Sequence, residues 1–243
     1  MSIREGIRTY LSDQLILRTC LYLAAALGVA LLVVWPRGSL EAALRSGAGT
    51  DSFTVVAICF LVCMLFLEAR FGAQDFSADP AVHLQEYVRL TPVPLVRLVG
   101  GRAGFAFLHT LLLLLLGAPF LAAAMAVGGA GLPHLFRSLA VIGAAGMAAR
   151  SWGLLSLCVL GTRRPLREMM LYPVLVTMLI VTFLAAPSAS PFHALNEVLN
   201  ITGGFPGWLL CTAASLGAAV AFCGFSILAL AVVRVRARER ENG

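Results

Sequence analysis

Residues 79–102, DPAVHLQEYVRLTPVPLVRLVGGR, form a long water-exposed loop between apolar runs, around which the chain is organised. Asp79 can cap a helix, and Pro80 suits its first helical position. The helix is expected to stop at Thr91-Pro92-Val93-Pro94, because proline cannot continue it. A helix over Pro80–Thr91 would be roughly 16 Å long, which is too short to span a bilayer.

Helical spacing divides this short segment between two faces. One stripe consists of Leu84, Val88 and Thr91. The remaining face contains His83, Glu86 and Leu90. A short helix of this kind either lies on a membrane or docks into a groove of another protein.

Apolar residues dominate the rest of the chain. Of its 243 residues, 60% are hydrophobic and 12% are charged, and the mean hydropathy is +0.91. These values lie outside the range of a soluble domain. Six runs approach the ~20 residues that a spanning helix needs: Leu17–Trp35, Phe53–Leu67, Ala103–Val127, Ser138–Leu160, Met169–Ala186 and Trp208–Val233. The sequence predicts an all-α membrane protein whose six transmembrane helices occupy residues 17–233.

Both ends of the chain are basic. Residues 1–16 place Arg4 and Arg8 among apolar residues at helical spacing, which predicts an amphipathic helix at the membrane surface. No small-residue cleavage site follows, so the first span is expected to be retained. Residues 234–243 form a basic tail.

The arginines predict the orientation of the chain. Apart from Arg150, which lies within a span, all of them except Arg37, Arg45 and Arg137 fall on one side of the expected membrane. Because the side richer in arginine is normally cytoplasmic, both termini and the loop 71–102 are expected in the cytoplasm.

The outer loop 187–207 also contains a helical signal. Ser188 to Pro191 can start a helix, Phe192–Leu199 has helical spacing, and Gly203 to Pro206 break it. This pattern predicts a short re-entrant or interfacial helical hairpin between spans five and six. An ordinary surface loop is the alternative.

No catalytic or metal-binding motif is recognisable. Gly224-Phe225-Ser226-Ile227 lacks the second glycine of a rhomboid-type nucleophile, and neither a His-Glu-x-x-His motif nor a phosphate-binding Gly-x-x-x-x-Gly-Lys-Ser/Thr loop occurs. The arginines are dispersed rather than gathered with aromatic residues, so no nucleic-acid partner is expected. The chain is therefore predicted not to be an enzyme by itself, with neither catalytic nor metal-ligating residues.

Arg150 is the exception to the apolar character of the spans. It lies about eleven residues, hence ~16 Å, from the cytoplasmic end of the fourth run. Ionisable residues at that depth are expensive and often functional, so it should face protein or water. Glu68 in the second run and His109 in the third are its candidate partners. Arg150 would be either a substrate-lining or gating charge, or a structural residue that forms an interhelical ion pair or extends its charged end towards the membrane surface.

The layout of these parts and one local motif point to a family. The segment from Gln85-Glu86 to Leu90-Thr91-Pro92, followed by Gly100-Gly101-Arg102 and a leucine-rich span, resembles the ABC-2 type (type V) permease family of ABC exporters. In that family an acidic residue precedes Leu-x-x-Thr-Pro, and a Gly-Lys/Arg enters the third span. The chain departs from the family at residues 81–85, where Ala-Val-His-Leu-Gln replaces the Gly-Thr-Leu-Glu often seen there.

The resemblance implies a transmembrane subunit of the bacterial inner membrane. It would pair with a second copy or a related permease and with soluble ATPase subunits, which supply ATP and Mg²⁺; this chain would bind no cofactor. Pro80–Thr91 would be the coupling helix. Its contact residues would be Asp79, His83, Leu84, Glu86, Tyr87, Arg89, Leu90, Thr91 and Pro92.

The cargo is not specified by the sequence, although apolar spans are compatible with a lipid-like or amphipathic substrate and with contacts to membrane lipids. Two alternatives remain at this stage. One is a membrane scaffold or assembly factor that binds another cytosolic protein through the loop helix. The other is an intramembrane hydrolase or transferase that uses Glu68, His109 and Arg150.

Overall fold

The computed structural model describes residues 14–35, 49–74, 84–128, 131–161, 164–199 and 207–242, and these ranges are helical apart from short turns. A 3₁₀ turn over Pro187–Ala189 lies between the sixth and seventh α-helices. The α-helices are α1 (Gln14–Val34), α2 (Gly49–Gly72), α3 (Leu84–Leu90), α4 (Leu95–Gly128), α5 (Leu132–Leu160), α6 (Arg164–Ala185), α7 (Pro191–Leu199) and α8 (Gly207–Asn242). The predicted all-helical fold is confirmed.

Within these ranges, five helices are long and apolar enough to cross a membrane, namely α1, α2, α4, α5 and α8. They are compatible with a multi-pass membrane protein. The apolar part of α6, Met169–Ala185, is shorter. At ~1.5 Å per residue it measures about 26 Å, slightly less than the ~30 Å of a bilayer's hydrocarbon core. The six-span layout thus depends on α6 and stays a prediction.

Helix α5 lies at the centre of the bundle. In its apolar window 78% of the residues are buried, against 17% in those of α1 and α8. Small residues explain this position, because a Cβ atom at Gly153 would collide with the carbonyl oxygen of Ala69, and one at Gly72 with that of Arg150. The backbones of α2 and α5 therefore touch directly at these two glycines.

Apolar side chains form two buried clusters. The larger one joins α1, α2, α4 and α5 and also includes residues of α6, α7 and α8; Leu27, Phe60, Leu113 and Ile142 are among its fully buried members. The smaller one joins α3 to the start of α4, the end of α5 and the C-terminal half of α8. Its members are Leu84, Val88, Leu98, Val99, Leu154, Leu157, Cys158 and Leu230.

The structure corrects the limits of the predicted loop 71–102. Helix α2 continues to Gly72, and α4 begins at Leu95, so Gly100-Gly101-Arg102 lies inside α4 rather than before it. The carbonyl oxygen of Pro94 accepts hydrogen bonds from the amides of Arg97 and Leu98. Pro92 follows the end of the short helix, and Pro94 directly precedes the start of the long one.

The two terminal segments also differ from their predicted limits. Residues 14–16 of the expected interface helix belong to α1, and residues 1–13 lie outside the described ranges. Helix α8 continues through residues 234–242, so the expected basic tail extends the last helix.

The segment before α8 contains the predicted short helix. Helix α7 covers Pro191–Leu199, where the sequence showed helical spacing. Residues 200–206 lie outside the described ranges. The hairpin or re-entrant form of this segment accordingly stays a prediction.

Candidate functional site

Three ionisable side chains from three helices meet inside the bundle. Glu68 comes from α2, His109 from α4 and Arg150 from α5, and their exposed fractions are 0%, 3% and 5%. Nη1 of Arg150 donates to Oε2 of Glu68 at 2.8 Å, and Nδ1 of His109 lies 3.0 Å from Oε1 of Glu68. The structure thus brings together the three residues that the sequence suggested as partners.

A fourth polar residue, Thr110, completes the set. Its hydroxyl donates to Oε1 of Glu68 at 2.9 Å, and the residue is 3% exposed. Sequence reasoning did not name Thr110, although a hydroxyl beside a buried histidine could have indicated it. The carboxylate of Glu68 consequently has neighbours on both oxygens, as a buried charge requires.

Nδ1 of His109 can form either of two alternative hydrogen bonds. Nδ1 lies 3.0 Å from Oε1 of Glu68 and 2.6 Å from Nη1 of Arg150. A ring nitrogen that carries hydrogen donates to the carboxylate, whereas a bare one accepts from the guanidinium. It cannot do both, so a change of tautomer or charge on His109 would exchange one hydrogen bond for the other.

Aromatic rings cover the guanidinium group of Arg150. Its Cζ atom lies 5.9 Å from the ring centre of Phe71 and 5.6 Å from that of Phe105. The Phe71 ring is also 4.6 Å from the His109 ring. These contacts and Glu68 compensate the charge of Arg150 in an apolar interior.

The chemistry available to this cluster is limited. Among the described residues, no group of three His, Cys, Asp or Glu side chains could hold a metal ion. The hydroxyl of Thr110 donates to Oε1 of Glu68, but the other oxygen of this carboxylate is paired with Arg150, so Glu68 is a charge partner of the guanidinium rather than a free base. The geometry suits a positioned ion pair between helices better than a nucleophilic site.

A second feature is the attachment of α3. Leu84 and Val88 are buried in the smaller cluster. Nε2 of Gln85 donates to the carbonyl oxygen of Cys158 at 2.9 Å, near the end of α5. The short helix is therefore bound to α5 by packing and by a hydrogen bond.

Arg234 on α8 binds the other end of α3. Its Nη2 donates to the carbonyl oxygens of Val93 at 2.7 Å and Thr91 at 3.2 Å, and its Nε to that of Val88 at 3.4 Å. These oxygens lie at and just after the C-terminus of α3, where carbonyl groups lack helical partners. Sequence reasoning placed Arg234 only in the basic tail, and it named Gln85 only as part of the family motif, without a contact to α5.

The opposite face of α3 points outward. Glu86, Arg89, Leu90 and Pro92 are exposed, with Leu90 at 71%. Tyr87 and Thr91 are half-buried. The division between buried Leu84 and Val88 and exposed Glu86 and Leu90 is the one that helical spacing predicts. Two residues of the expected contact surface, Asp79 and His83, lie outside the described ranges.

Comparisons of the chain with protein-family models, with curated proteins and with solved structures find no match.

Proposed function

We propose that this chain is the permease subunit of an ABC exporter, moved by separate ATPase subunits that bind the outward face of α3. The observation that carries the proposal is the attachment of α3: a short helix with an exposed outer face, whose inner face is bound to the long apolar helices α4, α5 and α8. A partner that shifts α3 would act on α4, α5 and α8 together.

The proposal includes six spans with α6 as the fifth, both termini in the cytoplasm, and a second permease copy or a related permease as partner. The expected contact surface runs from Asp79 to Pro92. ATP and Mg²⁺ belong to the ATPase. Nucleotide must bind one arrangement of the complex better than the other, since otherwise its binding could not drive a conformational change.

The buried cluster has a role in this proposal. It ties α2, α4 and α5 together at one level, and the His109 ring offers two alternative hydrogen-bond arrangements there. Helices that tilt relative to one another must keep or exchange these bonds, because an unpaired charge would be costly in the interior. We propose that the cluster limits the movement of α5 to discrete positions.

The test is co-purification in mild detergent with cytosolic ATPases of the same cell. The parent chain is compared with a variant that carries Glu86→Arg and Leu90→Asp, both on the exposed face of α3. A matched control carries Glu239→Arg and Val235→Asp, which are exposed positions on α8. Leu84 is left intact because it is buried and its loss would disturb folding.

The expected result is an ATPase that accompanies the parent chain and the control but not the α3 variant. The proposal would be refuted if the parent chain, the α3 variant and the α8 control were all folded and membrane-integrated but none of them bound an ATPase. An ATP-independent cytosolic partner on α3 would instead support the scaffold alternative. The hydrolase or transferase alternative is weaker, because hydrogen bonds to Arg150 and Thr110 already engage both oxygens of Glu68.

A further inference from the structure

An apolar groove of about 640 Å³ lies between α2, α6 and α7. Ile58, Val62 and Phe66 form part of its α2 wall, and Val176 and Ile180 part of its α6 wall. Its volume falls within the roughly 300–1,000 Å³ typical of small-molecule sites. Neither the buried cluster nor the α3 surface shares a residue with this groove.

The groove exists because α6 is fixed to the bundle at two separated levels. Near its start, the Trp152 indole nitrogen donates to the carbonyl oxygen of Leu171 at 3.2 Å. There the Tyr172 ring lies 5.5 Å from that of Phe66. Towards its end, the Phe183 ring stacks on His193 of α7 at 4.5 Å. Between these attachments a space separates α6 from α2.

The dimensions of the groove suit a single hydrocarbon chain. Its α2 wall extends from Ile58 to Phe66, eight residues apart, or about 12 Å along the helix. An acyl chain is thinner than a helix and needs no hydrogen-bond partners.

The ends of the groove differ in polarity. Its side walls are apolar, whereas α7 contributes His193 and Asn196 at one end. The apolar lining along its length favours a hydrocarbon ligand. The two polar side chains can bind hydrogen-bonding groups at the end, which is the chemistry of a lipid head.

We propose that this groove binds one acyl chain of a membrane lipid, with the lipid's polar head beside His193 and Asn196. The proposal rests on the proposed function, because it identifies an amphipathic lipid as the substrate class of the permease.

The test uses the full chain in phosphatidylcholine bilayers that contain a trace of phosphatidylcholine with a diazirine in one acyl chain. After irradiation, lipid adducts are mapped by mass spectrometry. Two adjacent substitutions on α6 provide a matched pair. Ile180→Trp alters a groove residue that is 53% exposed, and Val181→Trp alters a neighbour that is 54% exposed and does not line the groove.

We expect adducts on α2 within residues 58–66 in the parent chain and in Val181→Trp. In Ile180→Trp they should fall at least about fivefold, because the larger ring occupies space the chain would fill. His193→Phe preserves the stacked ring but removes its polar nitrogens, and should also reduce these adducts. Equal labelling in all four proteins overturns the proposal, as does a cross-link between two protein chains at residues 58–66.

Measuring ATPase co-purification on the same samples separates this proposal from the proposed function. Labelling that depends on Ile180 without any bound ATPase supports the lipid site and refutes the exporter. A bound ATPase with unspecific labelling refutes the lipid site alone.

Discussion

Arg150 and Glu68 are 82 positions apart in the chain and form a buried ion pair at 2.8 Å. The energetics of such a pair are asymmetric. Removing one partner leaves an uncompensated buried charge, whereas replacing both by apolar residues of similar size can be close to neutral. The cost of losing Arg150 is therefore expected to come from the stranded carboxylate.

We predict that Arg150→Met lowers the stability of the folded chain by roughly 3–5 kcal/mol, and that adding Glu68→Met restores most of it. Both effects are measured by thermal unfolding in detergent, with the accessibility of the buried cysteines as the signal. Arg97→Met, at an exposed position on α4, is the control and should leave the transition unchanged. A single Arg150 variant as stable as the parent would contradict the assigned pairing.

Glycine supplies a second prediction at this scale. A Cβ atom at Gly153 would meet backbone atoms of α2, whereas one at Gly217 has nothing within 4 Å. We predict that Gly153→Ala forces α2 and α5 apart and destabilises the chain by about 1–3 kcal/mol. Gly217→Ala should be neutral or slightly stabilising, since alanine favours helix. The same unfolding experiment compares the two variants, and equal stability would exclude the close helix contact.

At the scale of the element, α3 is too short to be stable by itself and depends on its attachments. Gln85 fixes it to α5 and Arg234 fixes it to α8. The guanidinium of Arg234 donates hydrogen bonds to carbonyl groups that lack helical partners. Its loss should therefore release the C-terminal end of α3.

We predict that Arg234→Gln accelerates amide hydrogen exchange in residues 84–91 by at least about tenfold, since a hydrogen bond to a charged group contributes ~1.5–3 kcal/mol. Arg236→Gln, which alters an exposed residue on the same helix, is the matched control. Exchange that rises equally in both variants, or in neither, would show that Arg234 does not hold α3.

At the scale of the whole molecule, the number of crossings depends on α6. Its apolar part is shorter than those of the other long helices, yet flanking residues and local thinning of the bilayer can compensate a short span. A crossing α6 puts the start of that helix and the 3₁₀ turn after it on opposite sides of the membrane.

We predict that Leu166→Cys and Ser188→Cys, in a chain whose native cysteines are replaced by alanine, react with a membrane-impermeant maleimide from opposite sides. Both positions are exposed. Modification of intact and of opened vesicles distinguishes the sides. Labelling of both positions from the same side would mean that α6 does not cross and that the chain has five spans.

The sequence by itself determined the helical fold and the approximate positions of five long apolar helices, because long apolar runs depend only on local composition. It also determined the two faces of α3 and suggested Glu68 and His109 as partners of Arg150, because a buried charge needs compensation. Only the tertiary structure decided which atoms meet. Thr110, Gln85 and Arg234 have local surroundings like those of many other polar residues, and packing alone selects them. The groove beside α6 likewise cannot be predicted from the sequence of any single helix, because it is a space between three helices.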